Sequence, residues 1–127
     1  MCIRDRDARL ATEIAVTLAG ATKGTLTALH VFDPAADTAM LRGRSRRFGM
    51  SVLVDVHRAG KRGGVQVKGL TAANVRPETE IRRAARGGRF DLVLLGTSLR
   101  QGETKFLGPR TSALLRVLRT PVLLIAR

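Results

Sequence analysis

Tryptophan and tyrosine are absent from this chain, and phenylalanine occurs only four times. No aromatic platform is therefore available on which single-stranded bases would stack. Cysteine occurs once, as Cys2, which excludes an intrachain disulfide and any CxxC redox or zinc motif. No apolar run approaches the roughly 20 residues that cross a bilayer; uncharged stretches such as Leu92–Ser98 and Thr120–Ala126 are far shorter. Met1–Leu10 mixes charges of both signs and has no apolar centre, so it does not read as a secretory signal. The cytoplasm is the expected location. Acids are scarce too: ten Asp and Glu stand against 23 Lys and Arg, a formal charge of +13.

That excess is mostly arginine, distributed over 42–47, 82–89 and 110–119, with Lys61–Arg62 between. Only Arg42, Arg44, Arg46 and Arg47 form a tight cluster. Without a helix-turn-helix, zinc-finger or RNP pattern, solvated basic faces explain the charge better than a nucleic-acid footprint. Nucleic acid is not the expected partner, although an arginine-driven nucleic-acid binder stays as a third functional class. With 127 residues and 44% hydrophobic content, the chain suits one domain with one core.

Periodicity gives the elements. Leu10, Ile14 and Leu18 fall on one helical face beside Ala11, Ala15 and Ala19, and Gly20 and Gly24 end that helix. Thr25–Phe32 is β-branched and apolar and stops at Asp33-Pro34, as a buried strand would. The arginine-rich span Asp33–Phe48 reads as a loop leading into a helix, with Met50, Leu53, Val54 and His57 on one face and Gly60–Gly64 closing it. Val65–Leu70 alternates as a short strand. Pro77 with Glu78 and Glu80 opens a helix, since proline needs no amide at the first position and acids favour the positive end. Ile81, Ala84 and Ala85 are its inward residues, and Gly87-Gly88 stops it.

Asp91–Leu95 is a continuous apolar strand followed by Gly96 and a polar loop over Thr97–Leu107. Gly108-Pro109 opens a last helix with Leu114, Leu115 and Leu118 inward; Thr120-Pro121 breaks it, and Val122–Ala126 closes as a strand. The order is α-β-α-β-α-β-α-β. Unbroken apolar strands are covered on both faces, which predicts an α/β three-layer sandwich with a parallel sheet and helices on each side.

The stretch from Asp91 to Arg127, DLVLLGTSLRQGETKFLGPRTSALLRVLRTPVLLIAR, resembles the C-terminal half of a universal stress protein domain. Ala11–Gly20 with Leu26–Pro34 is similar to that family's first helix and second strand. The likeness spans roughly Asp7 to Arg127 and implies a flavodoxin- or Rossmann-like topology with strand order 3-2-1-4-5. In that family the first, central strand carries an adenosine-contacting aspartate. Here only Met1–Arg6 precedes the first helix. MCIRDR is too charged for a central strand, and it resembles a translated transposase adapter. Residues 1–6 are therefore expected to be a non-native leader, and 7–127 the domain, lacking its first strand. Each main-chain group left buried and unpaired by that loss would cost about 1–3 kcal/mol.

Nucleotide-binding members carry G-x2-G-x9-G-[S/T] between the fourth strand and fourth helix, where glycines let amides approach phosphates at a helix N-terminus. Gly96 matches the first glycine and Gly108 the last. Leu99 replaces the second, the following spacer is one residue short, and Pro109 replaces the hydroxyl residue. The resemblance places Val31 at a position whose backbone meets adenine and Leu95 near the base. Arg100, Lys105 and Arg110 are candidate phosphate partners. Two readings stay open: ATP or AMP bound at this loop, or Gly96 and Gly108 merely ending a strand and opening a helix.

The loop GTSLRQGE…FLGPR also resembles that of stress-protein domains on the cytoplasmic C-terminus of cation/proton antiporters, which makes a covalently linked transporter domain a candidate partner. An uncharged terminal strand invites pairing with another copy, and relatives pair through that edge, so a homodimer through Val122–Ala126 is expected. His30, in an apolar strand with no second ligand near it, reads as a packed histidine rather than a metal ligand. Ser98, Thr97 and Thr111 have no spaced His–Asp partner, and no Walker A, HExxH or GxGxxG occurs. No enzyme is expected; a sensor or regulatory module is.

Overall fold

The computed structural model describes residues 5–32, 39–86, 89–97 and 109–126. Its elements are α1 (Asp5–Ala21), β1 (Leu26–Phe32), α2 (Ala39–Arg62), β2 (Val67–Ala73), α3 (Pro77–Ala85), β3 (Val93–Thr97), α4 (Pro109–Val117) and β4 (Val122–Ala126). The alternation expected from the sequence holds throughout, and both strand pairings are parallel. The chain falls into two compact units, Thr12–Pro77 and Met1–Ala11 with Glu78–Arg127. Strand pairing follows the same division, as β1–β2 and β3–β4. Among the described residues no strand joins β1 to β3.

In the first unit α1 and α2 end in the same way. Gly24 N–H donates to Ala19 O at 2.8 Å and Lys23 N–H to Gly20 O at 3.3 Å, with Lys23 at φ 55°. Val65 N–H donates to Gly60 O at 2.8 Å and Gly64 N–H to Lys61 O at 3.4 Å, with Gly64 at φ 68°. Both are Schellman closures, in which a left-handed residue turns the chain and satisfies the last carbonyls. Two residues beyond each closure a strand begins, and Leu26 pairs with Val67. A Cβ at Gly20 would lie 3.7 Å from Gly63 O, so the two helix ends are neighbours.

Helix α2 covers β1 and β2. Among its described side chains the buried residues are Leu53, Val56 and Gly60. Gly60 lets the helix approach β2 closely: a Cβ there would collide with the Val67 side chain. Met50, Val54 and His57, read from the sequence as part of the inward face, are exposed. Leu53 alone of that set is core: at about 100° per residue Val56 and Gly60 fall to one side of it, towards the sheet, and Met50, Val54 and His57 to the other, towards the rim. In α1, similarly, Ala15 and Val16 are buried while Leu18 is 37% exposed.

Other boundaries differ from the sequence reading. The helix expected after Phe48 starts at Ala39, since arginine, leucine and methionine are good helix formers. β2 runs on to Ala73. β3 begins two residues after Asp91 and continues through Gly96 to Thr97, following the β4 ladder rather than the apolar run. Helix α1 takes in Asp5 and Arg6, which the sequence assigned to the leader.

In the second unit Ile81, Leu95, Leu114 and Ile125 are buried. Leu115, expected inward, is 39% exposed, because among its described side chains α4 turns only Leu114 fully to the core. Arg76 N–H donates to Asn74 Oδ1 at 2.9 Å, an Asx turn that leads into Pro77 at the start of α3. Glu80 pairs with Arg83 at 2.8 Å, consistent with a helix-start acid rather than a catalytic one.

Candidate functional site

The parallel ladders decide which main-chain groups are committed. Leu26 N–H donates to Gln66 O, and Asn74 N–H to Phe32 O, each at 3.0 Å. In a parallel pair alternate residues face the neighbour, so Leu26, Ala28, His30 and Phe32 bond to β2. The amides and carbonyls of Thr27, Leu29 and Val31 point off the other edge, where no described strand pairs with them. Val31 is buried, at 8% exposure, near the carboxyl end of β1.

In the second unit Val93 N–H donates to Pro121 O at 3.0 Å. Val93, Leu95 and Thr97 are thereby turned to β4, and Leu94 and Gly96 away from it. Leu95 is 3% exposed and its neighbour Gly96 is buried. Pro109 is the first residue of α4 and Arg110 the second. Pro109 has no N–H, so the helix start presents one donor fewer to an anion.

Leu95, Gly96, Pro109 and Arg110 thus flank one connection of the second unit, from the carboxyl end of β3 to the amino end of α4. Arg100, Gly108, Leu99 and Lys105, together with Ser98, lie outside the described residues. Val31 belongs to the first unit. His30 is half-buried in β1. Among the described residues no cluster of three His, Cys, Asp or Glu could hold a metal ion. Nor, among them, is any helix long and apolar enough to cross a membrane.

The family model for the universal stress protein family matches residues 2–126. The chain belongs to that family. Among solved structures, this universal stress protein is similar to a member from Burkholderia pseudomallei at 27% identity and TM-score 0.76, covering 95% of this chain and 88% of that one. A universal stress protein in complex with cAMP matches at 18% identity and TM-score 0.68, over 97% and 89% of the two chains. One from Archaeoglobus fulgidus matches at 15% identity and TM-score 0.69, over 97% and 91%. These last two likenesses carry the fold alone. Among curated proteins none matches.

Sequence reasoning missed one surface of this universal stress protein. A groove of about 490 Å³ is lined by Met50, Leu53, Val54, His57, Arg58, Gly69 and Thr71. The visible signal was a glycine in the middle of a strand beside a basic, half-apolar helix, a place where close approach is common.

Proposed function

We propose that the protein is a non-catalytic cytoplasmic sensor or regulatory module that acts by self-association through β4. The observation behind this reading is the state of that strand. Val122, Leu124 and Ala126 turn their amides and carbonyls away from β3, as the Val93–Pro121 bond dictates. Val122–Ala126 carries no charge, and Leu123, Leu115 and Val117 of the same unit are 37%, 39% and 41% exposed. An edge with no lysine, proline or bulge inside it is a template for a second copy. Sedimentation velocity tests this: a concentration-dependent dimer is expected, and Val122→Pro abolishes it. That proline removes an outward amide at the first strand position and no bond to β3. A monomer at all concentrations refutes the reading. Linkage to an ion transporter, suggested by the loop 97–107, belongs to the same reading; genomic DNA upstream of Asp7 that encodes no membrane helices refutes that part.

The second reading is an adenine-nucleotide binder for ATP or AMP. It is favoured by the uncommitted main-chain groups of Val31 in the first unit and, separately, of Gly96 next to Leu95 in the second, and by the cAMP held by a relative of the same fold. Arg100, Gly108 and Pro109 complete the candidate loop. Calorimetric titration with ATP decides it: saturable heat at submillimolar ATP supports it, and no saturable heat at millimolar ATP ends it.

A further inference from the structure

The groove between α2 and β2 shares no residue with either site above. Its floor is Leu53 and Gly69, and Met50 and Val54 form an apolar wall, 56% and 44% exposed. Its volume falls within the roughly 300–1,000 Å³ of small-molecule sites. The opening depends on Gly69: a Cβ there would lie 3.0 Å from His57 Cε1 and 3.7 Å from both Leu53 methyls. His57 is held in place, since its Nδ1–H donates to Leu53 O at 2.8 Å. The lining residues include Arg58 and Thr71 but no Asp or Glu. Asp55, on the same helix, forms no ion pair with Arg58.

We propose that this groove binds a small anionic amphiphile, an alkyl or aryl carboxylate, with its tail along Met50, Leu53 and Val54 and its charge at Arg58. Charge complementarity selects the class. A permanent cation with an unopposed fork of donors suits a carboxylate, and the adjoining wall offers apolar contact that a phosphate or a nucleic-acid backbone does not use.

Dansyl-undecanoic acid is the probe, titrated into the full chain and read by fluorescence. Saturable, single-site binding is expected. Arg58→Gln weakens it about tenfold, the scale of one lost charge-assisted contact, and the corresponding dansyl alcohol binds the native protein about as weakly. Gly69→Val fills the groove and abolishes binding; circular dichroism checks its fold, and Arg58→Gln, at an exposed position, keeps the test valid if Gly69→Val misfolds. Unsaturable binding, or equal affinity for acid and alcohol, overturns the proposal. So does a change of sedimenting mass with Arg58→Gln while the probe fails to bind, which would give the groove to a second copy.

Discussion

Lys23→Gly should stabilise the protein and Gly64→Ala should destabilise it, by similar amounts. Both residues occupy the left-handed position of a Schellman closure, at φ 55° and 68°. A side chain there costs about 1–2 kcal/mol, from the Cβ against the following carbonyl. Glycine's greater freedom in the unfolded chain returns about 0.4–1 kcal/mol. The net is about 1 kcal/mol in each direction. Packing does not blur the comparison: Lys23 is exposed, and a Cβ at Gly64 would meet nothing within 4 Å. For a chain of this size 1 kcal/mol shifts Tm by about 4 °C. Thermal unfolding followed by far-UV circular dichroism should therefore separate the two variants by about 8 °C, with the native protein between them. If Lys23→Gly leaves Tm unchanged or lowers it, the closure of α1 is not strained and the reasoning fails.

Gly60→Ala should destabilise despite alanine's helix propensity, because overpacking against Val67 costs about 1–3 kcal/mol and outweighs the roughly 1 kcal/mol that propensity returns; urea denaturation measures it. Leu114→Ala, at a side chain 3% exposed, should cost about 2–5 kcal/mol by the same assay. Arg83→Ala should change stability by less than about 1 kcal/mol, since its pair with Glu80 is made by a side chain that is 67% exposed.

The element order was legible because β1, β3 and β4 centre on short apolar runs and β2 alternates, with glycine or proline near their ends. Pro77 and Pro109 mark two helix starts to the residue, and Thr120-Pro121 separates α4 from a strand whose bounds the sequence gives directly. Polarity misled at α2, where an arginine-rich stretch is helix from Ala39, not loop. Hydropathy also misplaced β3, since Gly96 and Thr97 are strand by virtue of pairing with Ile125 and Ala126, a contact no local pattern reveals. Of the candidate nucleotide site, the positions of Val31, Leu95 and Pro109 in their elements followed from the sequence, whereas Gly96 was placed after its strand and lies within it. Which main-chain groups remain uncommitted did not, for a strand's own residues do not say which neighbour it faces. The α2 groove escaped notice because it joins residues from two elements, and Gly69 in isolation looks like a weak strand residue.

The matched exits of α1 and α2 bear on how this half of the molecule finds its alignment. Parallel strands are far apart along the chain, and a slip of one residue would swap every inward side chain for an outward one. Here each helix stops by bonds that span only a few residues, at the same height as its neighbour, and releases the chain the same short distance from the sheet. Alignment is thus encoded by two nearby stop signals before the strands ever touch. Lengthening one exit by a single residue would put the two out of step, even though no residue in either strand had changed.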